Sequence, residues 1–304
     1  MKPLAITLGD PAGIGAEIVF KALRETDVPA IVFGSRAVAD PPDDIEFVDV
    51  GGEAPVRYGV IDATYGRIAL DSIDAALEAI GSGQCSALVT APIHKQSIAL
   101  AGSPFPGHTE LLAARAGLRR YAHHYAMYFD SPRLKSVLLS VHLPLREAIS
   151  QINFVDIVGL ADLMNREYKR LYGQAPRIAV AGVNPHAGEG GKFGDEERVI
   201  GKAVAHARKL GLTITGPHPA DTVFLSAHRG QYDVVLAMYH DQALIPIKTI
   251  AFDESVNVTI GLPYLRVSVD HGTAFDIAGR GIADAAPMRY AIRWAATHAE
   301  GYTR

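Results

Sequence analysis

Apolar residues along this chain fall into two rhythms. Short runs rich in β-branched and other apolar residues, each bounded by Gly, Pro or Asp, recur at 4–8, 30–33, 86–90, 134–141, 177–183, 234–238 and 256–260. Such runs predict buried strands. Between them lie stretches whose apolar residues return every three or four positions, at 71–80, 155–171, 195–210 and 287–298. Those predict amphipathic helices. Strands alternating with helices place the chain in the α/β class, with a largely parallel sheet covered on both faces, because parallel neighbours need a crossover long enough to hold a helix.

At 304 residues the chain has the length of about two domains. No repeat, Gly/Ser linker or charge block marks a boundary. The loop-rich stretch 101–108, with Gly102, Pro104, Pro106 and Gly107, is where a crossing to a second lobe is expected, with a return near Gly272. Hydrophobic residues at 48% and charged residues at 20% exclude a disordered chain or a coiled coil. With 29 Lys and Arg against 33 Asp and Glu there is no basic field to hold nucleic acid. The single cysteine, Cys85, rules out an internal disulfide or a zinc ribbon and suits a reducing cytoplasm. The opening apolar run is too short for an export signal, and no apolar stretch nears the ~20 residues of a bilayer span. A soluble cytoplasmic protein without membrane or nucleic-acid partners is therefore expected.

Reactive groups of open parallel sheets sit where strands end. His142, His186 and His240 all follow apolar runs. Three imidazoles can hold a divalent ion with positions open for substrate, and the fold rather than local spacing would assemble them; a histidine in such a place can also be purely structural. Lys248, Asn257 and Arg266 follow within apolar segments and suit an anionic small molecule, Arg through its planar fork. The competing reading makes them surface residues on edge strands. Gly107-His108-Thr109-Glu110 opens an apparent helix, so His108 and Thr109 either face an anion at its positive end or Thr109 simply caps it.

The turn Gly9-Asp10-Pro11-Ala12-Gly13-Ile14-Gly15-Ala16-Glu17 is neither a dinucleotide fingerprint nor a Walker A loop. Its glycines read as tight-turn and close-packing residues, with Asp10 able to face a site. The stretch from His271 to Asp284 is a glycine-punctuated loop where backbone can approach a ligand, or an ordinary turn. Asp221, in the predicted loop after His218, could reach a site. His94, His123, His124, His206, His218, His228 and His298 lack a comparable setting, and Cys85 reads as a core residue.

Several segments, in order, carry a resemblance that runs over nearly the whole chain. They are Gly9-Asp10-Pro11-Ala12-Gly13-Ile14-Gly15, Ala91-Pro92-Ile93-His94-Lys95, Pro106-Gly107-His108-Thr109-Glu110, His142-Leu143-Pro144-Leu145-Arg146 and Asn184-Pro185-His186-Ala187-Gly188-Glu189-Gly190-Gly191. Pro219-Ala220-Asp221-Thr222, Met238-Tyr239-His240-Asp241-Gln242, Val256-Asn257-Val258-Thr259 and Ser268-Val269-Asp270-His271-Gly272-Thr273-Ala274 complete the set. Together they resemble the 4-hydroxythreonine-4-phosphate dehydrogenase family. The resemblance implies that His142, His186 and His240 bind one divalent ion (zinc, magnesium or cobalt), with ligands from both subunits of a homodimer. It further implies that His108, Thr109, Lys248, Asn257 and Arg266 hold substrate.

The loop at His271 is also similar to the adenosine-binding loop of isopropylmalate and isocitrate dehydrogenases. That similarity implies Gly272, Thr273, Ala274, Asp276 and Ile277 as contacts of NAD or NADP. The implied fold is a two-lobed α/β/α sandwich with a cleft between lobes, residues 1–104 plus 272–304 forming one and 105–271 the other. The implied reaction oxidises 4-hydroxythreonine phosphate to a 3-oxo acid that loses carbon dioxide, in pyridoxal phosphate biosynthesis. Lys248 is expected to assist proton movement or neutralise phosphate, and Asp221 and Asp241 to orient groups. Ala16, Ala243 and Asp253-Glu254-Ser255 depart from the family pattern, the last adding negative charge near Asn257. A dehydrogenase of another phosphorylated acid such as phosphothreonate is the nearest alternative; a metal-dependent phosphohydrolase and a non-catalytic ligand sensor rank below it.

Overall fold

The computed structural model describes residues 1–52 and 55–302. In chain order the strands are β1 (Leu4–Thr7), β2 (Ala30–Gly34), β3 (Glu46–Asp49), β4 (Ala87–Thr90), β5 (Ala126–Asp130), β6 (Ser136–Leu138), β7 (Ile178–Ala181), β8 (Ile214–His218), β9 (Val234–Ala237), β10 (Val256–Ile260) and β11 (Leu265–Ser268). The helices are α1 (Gly15–Arg24), α2 (Ala63–Gly81), α3 (Lys95–Leu100), α4 (His108–Arg115), α5 (Leu145–Ser150), α6 (Phe154–Tyr172), α7 (Glu196–Lys209), α8 (Ala220–His228), α9 (His240–Ala251) and α10 (Ala286–Tyr302). They divide into two compact units, Met1–Ala116 with Pro263–Arg304, and Gly117–Leu262.

In the first unit the strand order is β3-β2-β1-β4-β11, parallel throughout. β1, β4 and β11 are buried along their whole length, as strands covered on both faces must be. After β1 the chain steps outward through β2 and β3, then returns to place β4 on the other side of β1. The carboxyl ends of β1 and β4 therefore flank the point where the winding reverses. α2 is N-capped by Asp62, whose carboxylate accepts the Thr64 N–H at 2.8 Å, and it starts well before the predicted residue 71. The added residues include Gly66, where a Cβ would lie 2.0 Å from the Ser97 carbonyl, so only glycine lets α2 lie this close to α3. Gly15 similarly seats α1 on the end of β1, with the Leu8 carbonyl 1.9 Å from where a Cβ would stand.

The second unit departs from the parallel expectation. Its order is β10-β5-β6-β9-β7-β8; β5 runs antiparallel to both β10 and β6, while the rest pair in parallel. Met127, Phe129, Leu138, Val235, Ala237, Phe224 and Ile247 form its core under α8 and α9. α6 is closed at both ends, by the Asn153 side chain accepting the Asp156 N–H and by Gly173 in the left-handed conformation. Among the described residues no helix is long and apolar enough to cross a membrane.

Candidate functional site

The second unit brings two of the three singled-out histidines together. His142 lies in the turn after β6, and His240 opens α9 directly after Tyr239, the N-cap. Their ring centroids are 5.6 Å apart at a 44° tilt. Two imidazoles on one tetrahedral ion, at bonds of about 2.0–2.1 Å, place their ring centres about 5 Å apart, so the pair fits two positions of a metal centre. His240 Nδ1 lies 2.7 Å from Asp241 Oδ1. A carboxylate only accepts, so Nδ1 carries the hydrogen and Nε2 is left to bind an electrophile. A cavity of about 240 Å³ borders both rings, lined by Leu143, Leu145, Tyr239 and Asp241 among others. Asp221 is not in a loop but in the first turn of α8, where it shares a neighbouring cavity of about 520 Å³ with Asp241, Phe224, Tyr239 and Ile245.

His186 is not joined to this pair within the chain. Among the described residues no group of three or more His, Cys, Asp or Glu side chains is gathered closely enough to hold a metal ion. His186 is exposed, in a turn after β7 in which six successive residues from His186 to Gly191 take positive φ. Left-handed backbone is costly for residues with a Cβ. Glu197, on α7, holds the turn in place: its carboxylate accepts the backbone N–H groups of Val183 at 2.8 Å and Asn184 at 2.7 Å, and the Asn184 side-chain amide at 2.9 Å. Those hydrogen bonds hold Glu197 below the usual carboxylate range despite its burial.

Lys248 and Asn257 also belong to the second unit. Lys248 is half-buried in α9 with its ammonium 5.9 Å above the Phe252 ring, and Asn257 is paired opposite Phe129 in β10 with its Oδ1 buried and lacking a hydrogen-bond partner. Asp253 and Glu254 are exposed in the turn just ahead of β10, and Ser255 is buried.

The remaining predicted substrate residues gather in the first unit. α4 begins at His108, with Gly107 as N-cap, so Thr109 is a buried residue inside the first turn and does not cap the helix. Arg266, on β11, is 2% exposed and donates from Nη2 to Thr90 Oγ1 at 2.8 Å. Burial pulls its guanidinium down to about 10. Burial, and then the charge of Arg266, hold the His108 imidazole well below its ordinary range, so the ring is neutral, and its Nε2 is buried without a partner. A buried cation beside a helix N-terminus attracts negative charge. The unfolded His108 binds a proton near pH 6.5, about where free imidazole titrates, and the folded ring only well below that. Between those two values the unfolded chain carries more protons, so stability falls as pH drops below about 6.5. His108→Gln should flatten that slope in urea midpoints measured from pH 7.5 to 5.

The loop after β11 packs on the turn after β1. The Ile14 N–H donates to the Thr273 carbonyl at 3.1 Å, and a Cβ on Gly13 would meet that same oxygen at 2.9 Å. Ala274 takes φ 44°, the Ile277 N–H returns to the Ala274 carbonyl at 3.1 Å, and Asp276 is exposed. Farther on, Lys21 donates to the carbonyls of Gly281 and Ala283 at 2.9 and 3.0 Å, and Glu17 accepts the Ala283 N–H at 2.8 Å. Gly272 is exposed with open space around its missing side chain, so a ligand can reach the backbone there. A pinned, glycine-bordered loop of this kind fits a nucleotide.

The sequence profile described as "Pyridoxal phosphate biosynthetic protein PdxA" matches residues 3–295. This chain belongs to the PdxA family. It is 42% identical over 320 residues to the 4-hydroxythreonine-4-phosphate dehydrogenase of Beijerinckia indica, covering 96% of this chain and 94% of that relative. It is 41% identical to the D-threonate 4-phosphate dehydrogenase of Salmonella typhimurium, covering 97% and 98%. The crystal structure of 4-hydroxythreonine-4-phosphate dehydrogenase from Klebsiella pneumoniae matches with a TM-score of 0.89 at 39% identity, covering 98% of this chain and all of that one.

Within this PdxA-family chain, sequence reasoning passed over Thr90, His94, Ser97 and Phe275. His94 and Phe275 form a stacked pair, with centroids 4.8 Å apart at 17°. The available signal was position: His94 follows β4 just as the three singled-out histidines follow their strands.

Proposed function

We propose that this protein oxidises 4-hydroxy-L-threonine phosphate with NAD or NADP, giving 2-amino-3-oxo-4-phosphooxybutanoate, which decarboxylates to 3-amino-2-oxopropyl phosphate. The observation that carries the reading is the buried Arg266 guanidinium beside the neutral His108 and the start of α4, a place built to receive an anionic group. In this reading Arg266, His108 and Thr109 grip the anionic end of the substrate, and Lys248 and Asn257 hold its remaining polar groups. Lys248 carries the proton that leaves the hydroxyl, or balances the phosphate. Asp241 fixes the His240 tautomer through its 2.7 Å contact, and Asp221 orients groups across the shared cavity. Gly272, Thr273, Ala274, Asp276 and Ile277 contact the adenosine portion of the dinucleotide, which accepts the hydride.

His142 and His240 would hold the divalent ion, with His186 supplied across a homodimer. Bound there, the ion would act as a Lewis acid that lowers the pKa of the substrate hydroxyl. Exposed Leu143, Leu145, Leu225 and Ile245 around the two cavities support a buried subunit contact on this face.

D-Threonate 4-phosphate is the second reading, favoured by the 41% identity to the Salmonella enzyme. The two substrates differ in an amino against a hydroxyl group at carbon 2. Steady-state reduction of NAD and NADP with each, in the presence of zinc, magnesium or cobalt, tests both. Higher kcat/KM with the amino acid supports the first assignment, higher kcat/KM with the threonate the second, and turnover of neither ends both.

A further inference from the structure

A cluster of polar side chains at the crevice between β1 and β4 has no role in the site described above. Asp10 follows β1 and is 1% exposed; its Oδ1 accepts the Ala12 N–H at 2.9 Å, while Oδ2 is buried with no partner. Ser97, in α3, is fully buried with an unpaired hydroxyl, and His94 Nδ1 is also buried and unpaired. Both residues lie beside the Asp10 carboxyl. Burial pushes that carboxyl above its usual range, with the Ala12 N–H, Ser97 and His94 pulling it back and Asp62 adding to the rise. Folded proteins pair nearly all such atoms, so Asp10 Oδ2 and His94 Nδ1, buried with only the neighbouring Ser97 hydroxyl at hand, point to a ligand.

The place itself agrees. Open α/β sheets bind ligands outside the carboxyl ends of strands where the winding reverses, and in this sheet that point lies between β1 and β4. The roof over it is the same loop that carries Thr273 and Ala274. Phe275 lies flat on the His94 ring, and both are half-buried, so the stack has a solvent-facing edge.

The chemistry of the cluster narrows the occupant. A carboxylate accepts hydrogen bonds and repels anions, which excludes phosphate and carboxylate groups. The His94 face takes a flat ring, and a carboxylate whose charged neighbours are His94 and Asp62 tolerates a positive ring. We propose that Asp10, Ser97 and His94 seat the nicotinamide of the dinucleotide. Asp10 Oδ2 accepts the carboxamide N–H, the Ser97 hydroxyl donates to the carboxamide oxygen, and the ring lies on His94 where Phe275 lies now. Resting on the dehydrogenase reading above, this adds a preference. The nicotinamide is cationic only when oxidised, so Asp10 favours the oxidised dinucleotide over the reduced one.

Calorimetric titration of the purified protein with oxidised dinucleotide, reduced dinucleotide and the matching ADP-ribose tests this, using wild type, Asp10→Asn and Ser97→Ala. Asp10→Asn keeps an acceptor and removes the charge. It is expected to weaken the oxidised form about tenfold, the value of a charged hydrogen bond, and the reduced form much less. Ser97→Ala should weaken both forms by a similar, smaller factor. ADP-ribose, which lacks the nicotinamide, should bind all three proteins equally. Equal loss of ADP-ribose and oxidised dinucleotide in Asp10→Asn overturns the proposal, since Asp10 then only supports the loop. So does an unchanged ratio of oxidised to reduced affinity. A wild type that binds none of the three probes removes the dehydrogenase reading together with this one; a wild type that binds ADP-ribose, with variants indistinguishable from it, removes this one alone.

Discussion

Arg266→Lys should lower kcat/KM for the phosphorylated substrate by about a hundredfold or more, chiefly through KM. Two charge-assisted hydrogen bonds from a planar fork contribute about 1.5–3 kcal/mol each, and a lysine ammonium cannot reproduce the pair. The guanidinium is 2% exposed, so no water replaces what is lost. The contact to Thr90 at 2.8 Å sets the orientation of the fork, and Thr90→Val should give a milder version of the same defect. The same assay with the unphosphorylated hydroxy acid separates gripping from general damage: Arg266→Lys should narrow the gap between the two substrates. If the variant keeps the wild-type KM for the phosphorylated form, Arg266 does not hold the substrate.

The second large effect belongs to the imidazole pair. His142→Ala should reduce turnover at least about a thousandfold, the scale on which metal polarisation of an alcohol operates. Treatment of the wild type with a chelator should do the same, and added divalent ion should restore only the wild type. His142 is exposed, so its removal leaves no cavity, and far-UV circular dichroism and the thermal midpoint should stay where they were. Full activity after both chelation and substitution would falsify the metal assignment.

Much of the architecture was legible because buried strands and amphipathic helices carry strong periodicity. The run at 256–260 became β10 without change, and the stretch at 155–171 became α6 with one residue added at each end. The strands that escaped notice have physical reasons. β11 interrupts its apolar run with Arg266, β8 contains Gly216 and Pro217, and β3 begins and ends in acidic residues. β5 brings the antiparallel pairing, which no alternation of strands and helices announces, because direction is decided by what a strand meets far along the chain.

The candidate site was legible in its residue types rather than its assembly. His142 and His240 are about a hundred residues apart in the chain and meet only through β6 and β9, which are adjacent in the sheet. His186 sits beyond β7 in a turn whose left-handed backbone gives no signal in composition beyond its glycines. His94 was passed over because its importance lies in an unpaired nitrogen and a stacked ring, neither of which a linear pattern records.

The interleaving of the two units has a consequence for synthesis on the ribosome. β4 is paired on one edge to β1 and on the other to β11, and β11 is made only after all of Gly117–Leu262. A growing chain therefore carries a buried, mainly apolar strand, Ala87-Leu88-Val89-Thr90, with one bare edge for the time taken to translate half the protein. Open edges of that kind recruit other chains. Nascent polypeptides stalled before residue 265 should be the ones that chaperones hold and that precipitate when overproduced.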